Sequence, residues 1–180
     1  MSSTILDHVA RQRQILKQFL SDSMSQLGQQ CIPLMSEPEK LDELLQAHFK
    51  LSSYVKYLWV LDHSGRQLSA TVSRKKLKEG QRGRDRVARP YMQRALKGDP
   101  FYLSDAYISR FRRRPSLTAV QTFYDEDGRT LGYLGADFDL RKLPYTAKLN
   151  LGKKGWLQMK GDPAIRGGLF AQQRTVSAMD

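Results

Sequence analysis

The stretch Ser116–Leu140, SLTAVQTFYDEDGRTLGYLGADFDL, constrains the fold more than any other part of the chain. It reads as two strands, 116–125 and 129–140, folded back on one another by the Glu126-Asp127-Gly128 turn, since a Gly-bearing turn between β-rich runs is the strongest short-range hairpin signal. Alternation divides the second strand. Leu131, Tyr133, Gly135, Asp137 and Asp139 share one face, and Leu134, Ala136 and Phe138 share the other. A hairpin with one apolar face needs more strands and a covering layer.

The rest of the chain supplies both. Residues 54–62 (YVKYLWVLD) are aromatic and β-branched, His63-Ser64-Gly65 makes a turn, and 66–73 returns as a strand. Residues 74–89 are basic and unperiodic and read as a long exposed loop. Pro90 and Gly98 bracket a short helix over 89–98. Residues 101–111 form one further strand, with Leu103, Asp105, Tyr107 and Ser109 on a common face, and 112–115 turn into the hairpin. Upstream, Ile5, Val9, Leu16, Leu20, Met24 and Leu27 recur at helical spacing and predict one helix over 3–30, ended by Pro33. Ser36 is the expected cap of a second helix, with Leu41, Leu44, Leu45, His48 and Phe49 as its face. The fold class is therefore α+β: one antiparallel sheet of about five strands with a long N-terminal helix and short helices. Three regions follow: 1–35, a helix that packs on its own domain or pairs with a second copy; 36–145, the globular domain; and 146–180, a basic extension with a short helix near 163–174.

Charge and motif content narrow the function. The net charge of +12 is segregated, with 15 Lys/Arg against 4 Asp/Glu in residues 66–114, which makes a field that attracts anions. Cys31 alone supports neither a disulfide nor a zinc cluster. His8 and His48 read as packing or surface histidines. No leader sequence and no apolar run of membrane-spanning length is seen, so a cytoplasmic protein or a soluble piece of a membrane receptor is expected. Phosphate-loop, nucleophile-elbow and zinc-protease patterns are missing, and no cofactor motif stands in their place, which argues for a binding protein and against an enzyme. A basic nucleic-acid or acidic-partner binder is the alternative, although the basic runs carry no regularly interleaved aromatics for base stacking.

The succession LWVLDHSGRQLSA, RPYMQRALKGDPFYLSDAYISR and AVQTFYDEDGRTLGYLGADFDL resembles the Cache superfamily of PAS-like, PDC-type sensor domains, in its single-Cache arrangement. The likeness spans about residues 40–142. It implies a domain that binds a small organic acid, amino acid or amine between the sheet and the long loop and signals to a partner protein through a helix or dimer rearrangement. Carried over by position, it implies that Arg89 and Tyr91 enter the pocket from the short helix, that Asp105 and Tyr107 line a wall, and that Asp137 forms the floor. Alternation puts Tyr133 beside Asp137. The chemistry suits such ligands: arginine grips a carboxylate with paired hydrogen bonds, tyrosine offers a wall and a hydroxyl, and an aspartate opposite favours an ammonium. After the Arg-Pro step this chain has Tyr91 and Met92, where the amino-acid-binding branch carries a tryptophan and a tyrosine.

Overall fold

The computed structural model describes residues 5–49, 53–108 and 115–143, and of 5–9 only the backbone. Three helices, α1 (Ile5–Cys31), α2 (Pro38–His48) and α3 (Pro90–Ala95), accompany seven strands: β1 (Val55–Asp62), β2 (Thr71–Val72), β3 (Leu77–Lys78), β4 (Phe101–Leu103), β5 (Tyr107–Ile108), β6 (Pro115–Tyr124) and β7 (Thr130–Asp139). The sheet order is β3-β2-β1-β7-β6-β4, with β5 also paired to β6, and every pairing is antiparallel. The first long strand thus lies beside the last, at the centre.

One face of this sheet holds the main core. Leu58, Val60, Leu117, Ala119, Phe123, Leu134, Ala136 and Phe138 meet Leu16, Leu20, Met24, Leu27 and Cys31 of α1 and Leu41 and Leu45 of α2. From Leu16 onward the apolar stripe of α1 is thus spent on the chain's own sheet. Close approach is bought by small residues: a Cβ on Gly132 would lie 2.4 Å from the Leu61 carbonyl oxygen and 2.8 Å from Met35. The opposite face carries a smaller cluster, Trp59, Leu61, Val120 and Tyr133 beneath Met92 and Ala95 of α3.

Two tight turns sit at one end of the sheet and share the pattern Asp-x-x-Gly-Arg. Asp62 Oδ1 accepts the N–H groups of Ser64 and Arg66, and Asp125 Oδ1 accepts those of Asp127 and Arg129. Each turn closes through a glycine of positive φ, Gly65 at 84° and Gly128 at 77°, a conformation only glycine adopts without strain.

Several expectations change. Pro38 occupies the first turn of α2, so Glu37 takes the cap position in place of Ser36, and no side chain caps the helix. The returning strand at 66–73 shrinks to Thr71–Val72, with an isolated bridge from Leu61 to Gln67. The loop at 74–89 is not free. It contains β3 and a 3-10 turn at Glu79–Gln81, and it is fastened by hydrogen bonds from Gln67 N–H to the Arg84 carbonyl (2.9 Å), Gly83 N–H to the Gln67 carbonyl (2.7 Å) and Arg86 N–H to the Gly65 carbonyl (3.0 Å). The single strand expected over 101–111 is two short ones, broken at 104–106. Residues 112–114 of the expected 112–115 turn, the short helix near 163–174 and the rest of the 146–180 extension lie outside the described residues.

Candidate functional site

The face under α3 and the loop collects the polar groups that alternation placed on β7. Register sets Asp137 between Tyr57 of β1 and Thr118 of β6, and Gly135 between Trp59 and Val120. Tyr107 arrives from β5, opposite Ser116. The Thr118 hydroxyl donates to Asp137 Oδ1 at 2.6 Å and the Tyr107 hydroxyl to the same oxygen at 3.5 Å, while the two hydroxyls lie 3.0 Å apart. Burial pushes the Asp137 carboxyl above its ordinary range; the hydroxyl donors and the charges of Lys56 and Arg86 pull in the other direction but do not cancel it. Burial, then the neighbouring Asp137, pushes the Tyr107 phenol up to about 12, which keeps it a hydrogen-bond donor at any physiological pH.

Trp59 roofs the neighbouring stretch of the sheet. A Cβ on Gly135 would fall 2.2–2.5 Å from three indole atoms, so the glycine exists to let the ring lie flat on the strand. Tyr91 packs on this ring at 5.7 Å between centroids, and the buried indole N–H has no hydrogen-bond partner among the described residues. Burial raises the Tyr91 phenol, and the charges of both Arg86 and Asp137 act on it. Trp59, Tyr91, Tyr107, Asp137 and Arg86 are thus one neighbourhood.

Arg86 enters from the loop. Its Nε and Nη2 donate to Gln67 Oε1 at 2.9 and 2.6 Å, and Nη2 also donates to Gln81 Oε1 at 3.0 Å. Gln67 is itself pinned, its Nε2 donating to the Ser69 carbonyl and the Thr71 hydroxyl, both at 3.0 Å. Burial lowers the Arg86 pKa and the like charges of Arg89 and Arg84 add to that, while Tyr91 and Asp137 pull the other way without cancelling it. The loop is held from its other end by Arg82, whose Nη2 meets Asp42 Oδ2 of α2 at 2.5 Å; Asp42 is buried and its second oxygen accepts the Ala70 N–H at 2.8 Å.

Of the six residues expected in the site, Tyr91, Tyr107 and Asp137 come together. Tyr133 shares their face but is buried in the apolar cluster, with Asp62 and Tyr124 as its electrostatic neighbours, so it forms wall. Arg89 stands at the exposed N-cap of α3, on the rim. Asp105 does not join them. The break at 104–106 resets the alternation: Leu103 packs against the α1 face, Tyr107 faces the loop side, and the exposed Asp105 pairs with Arg13 of α1 at 3.5 Å. Sequence reasoning missed Arg86, Gln67 and Trp59. Only Trp59 carried a signal, a large ring in β1 that pairs with a glycine in β7.

Among the described residues no group of three His, Cys, Asp or Glu is placed to hold a metal, and no helix is long and apolar enough to cross a membrane. Two open clefts, about 350 and 370 Å³, lie elsewhere, one between α1 and β4 and one between α2 and the start of the loop.

This architecture, a long helix leading into an antiparallel sheet whose first and last long strands adjoin, is an α+β, PAS-like fold. Among solved structures the chain is similar to the extracellular domain of a protein named as histidine kinase vpHK1S-Z8, at 20% identity and a TM-score of 0.61, over 83% of this chain and 61% of that one. It is also similar to a domain of a sensory box/GGDEF family protein from Vibrio parahaemolyticus, at 20% identity and a TM-score of 0.56, over 81% of this chain and 60% of that one. The ligand-binding domain of the Campylobacter jejuni chemoreceptor Tlp3, solved with 4-methylisoleucine, gives 15% identity and a TM-score of 0.49 over 77% of this chain. The chain spans only 54–61% of the length of these three structures. No known protein family's sequence profile matches it, and no curated protein is similar to it in sequence.

Proposed function

We propose that this domain is a non-enzymatic sensor that binds a small carboxylate-bearing or amino-acid-like metabolite on the loop-covered face of its sheet and passes the signal to a partner protein. One observation carries the reading. A half-buried carboxyl, Asp137, is held by Thr118 and Tyr107 in the same neighbourhood as a half-buried guanidinium, Arg86, whose described hydrogen-bond partners are two neutral amide oxygens. Buried ionisable groups are costly and mark sites of binding or chemistry more often than structural need. The likeness in fold to sensory domains, one of them the extracellular domain of a histidine kinase, supports the same role.

Signalling requires the ligand to favour one of two arrangements. The loop supplies the connection, because Arg86 touches the site and Arg82, four residues earlier, touches α2. The rearrangement passes from the loop to α2 and α1, and from there to a second copy or a downstream protein.

The test is a thermal-shift and calorimetry panel of small carboxylates, L-amino acids and amines against the purified domain. A ligand at about 100 times its Kd stabilises by about 2.7 kcal/mol, a shift of several degrees. We expect at least one compound to produce it, and Asp137→Ala to weaken that binding. A panel that leaves the melting temperature unmoved removes the reading.

A further inference from the structure

We propose that Arg86, three residues before the Arg-Pro step, is the residue that grips the ligand's carboxylate. This deepens the sensor reading and rests on it.

The argument begins with the valence of the guanidinium. Nε and Nη2 are engaged by two neutral amide oxygens, Gln67 Oε1 and Gln81 Oε1. Nη1 donates no hydrogen bond to any described residue, and no described carboxylate lies within ion-pair distance of Arg86. The other loop arginines differ. Arg82 is neutralised by Asp42 and Glu39. Arg84 and Arg89 are exposed to water, where a cation needs no partner. Arg86 is the arginine of this loop that is partly desolvated and has no counter-charge in contact. Asp137 acts on Arg86 only through space, and a desolvated charge without a counter-ion in contact is costly, so Nη1 is open to an anion that reaches it.

Geometry then says what kind of anion. Gln67 is fully buried, and its amide nitrogen is committed to Ser69 and Thr71, so its oxygen has one orientation. It clamps the Nε–Nη2 edge of the guanidinium and leaves Nη1 open, on a cation whose charge acts on both Tyr91 and Asp137. With Nε and Nη2 engaged, Nη1 of this pre-oriented cation offers a carboxylate a charge-assisted hydrogen bond rather than the paired fork. A monocarboxylate and an amino acid share this group. They differ in the ammonium that Asp137 would receive, and the experiment separates them.

Calorimetry on wild type, Arg86→Gln, Arg86→Lys, Arg89→Gln and Asp137→Asn uses sodium acetate, sodium pyruvate, L-alanine and L-valine as probes, with acetamide and L-alaninamide as matched compounds without a carboxylate. Whichever carboxylate binds wild type is expected to weaken by about 100-fold in Arg86→Gln and about tenfold in Arg86→Lys, a change of one decade being 1.4 kcal/mol. Arg89→Gln stays within about threefold, and the matched amides do not bind. Loss in Asp137→Asn for the amino acids alone identifies an amino-acid site; unchanged binding there identifies a simple carboxylate. Melting temperatures of the unliganded variants guard against misfolding, and Arg86→Lys, which keeps the charge, decides the matter if Arg86→Gln does not fold. Wild-type affinity in Arg86→Lys or Arg86→Gln, with binding lost in Arg89→Gln, overturns this assignment and leaves the sensor reading in place. Binding of the amides as tightly as the acids overturns it too. No binding by any probe, together with a silent amine panel, removes both.

Discussion

Gly135 is glycine for want of space. It is not among the positive-φ glycines, and the indole of Trp59 occupies the place of its side chain. Gly135→Ala must therefore lift Trp59 off the strand. Overpacking of this kind costs about 1–3 kcal/mol, so the melting temperature should fall and the tryptophan emission should change with it; an unchanged melt would mean that the ring has room to move. Asp137 makes a different prediction. Burial raises its pKa in the folded state, so the native protein holds that proton more firmly than the unfolded chain does. Its contribution to stability is then fullest at acidic pH and declines as pH rises through the folded-state pKa. Asparagine keeps an acceptor for Thr118 and Tyr107 without the charge. Asp137→Asn should melt above wild type at pH 7.5, and the gap should close near pH 4. A gap that widens on acidification contradicts the assigned environment.

At the scale of elements, what the sequence discloses depends on whether a pattern is local. The alternation of β7 is local, and it correctly placed Tyr133 and Asp137 on one face and Phe138 on the other. The break at 104–106 is not, because Ser104, Asp105 and Ala106 continue an apparent alternation and only pairing of both β4 and β5 to β6 reveals the interruption. The loop hides its order for the same reason. Nothing near Arg82 or Arg86 in sequence separates them from the other basic residues, since their partners, Asp42 and Gln67, are remote in the chain. The Arg82–Asp42 contact ties the loop over one face of the sheet to the helix on the other. Asp42→Ala leaves the Ala70 N–H without its acceptor and the partly enclosed Arg82 with the exposed Glu39 alone. We expect a loss of about 2–4 kcal/mol, seen in urea unfolding, and faster proteolysis within 79–89. Stability within about 0.5 kcal/mol of wild type would show that the loop is held by its backbone bonds alone.

The whole molecule is a sheet with unequal coverings. Helices α1 and α2 bury one face in a large apolar core, and α3 with its loop covers the other more thinly. The inner strand β6 is buried along nearly its whole length, whereas the edge strand β3 is exposed. Opening free energy follows burial of this kind. Amide exchange should therefore be slowest in β6, β7 and the part of α1 from Leu16 to Cys31, and at least about 100-fold faster at β3. The N-terminal part of α1 is the informative segment. Residues 10, 11 and 13–15 of that helix are exposed, with Ile15 at 38%. In dilute protein their amides should exchange early, because these residues are exposed and lightly held, Arg13 by the Leu103 and Ser104 carbonyls and by Asp105. Protection of residues 10–15 equal to that of 16–31, and dependent on protein concentration, would mean that a second copy lies along the helix, so this measurement also decides whether α1 carries the signal within one chain or between two.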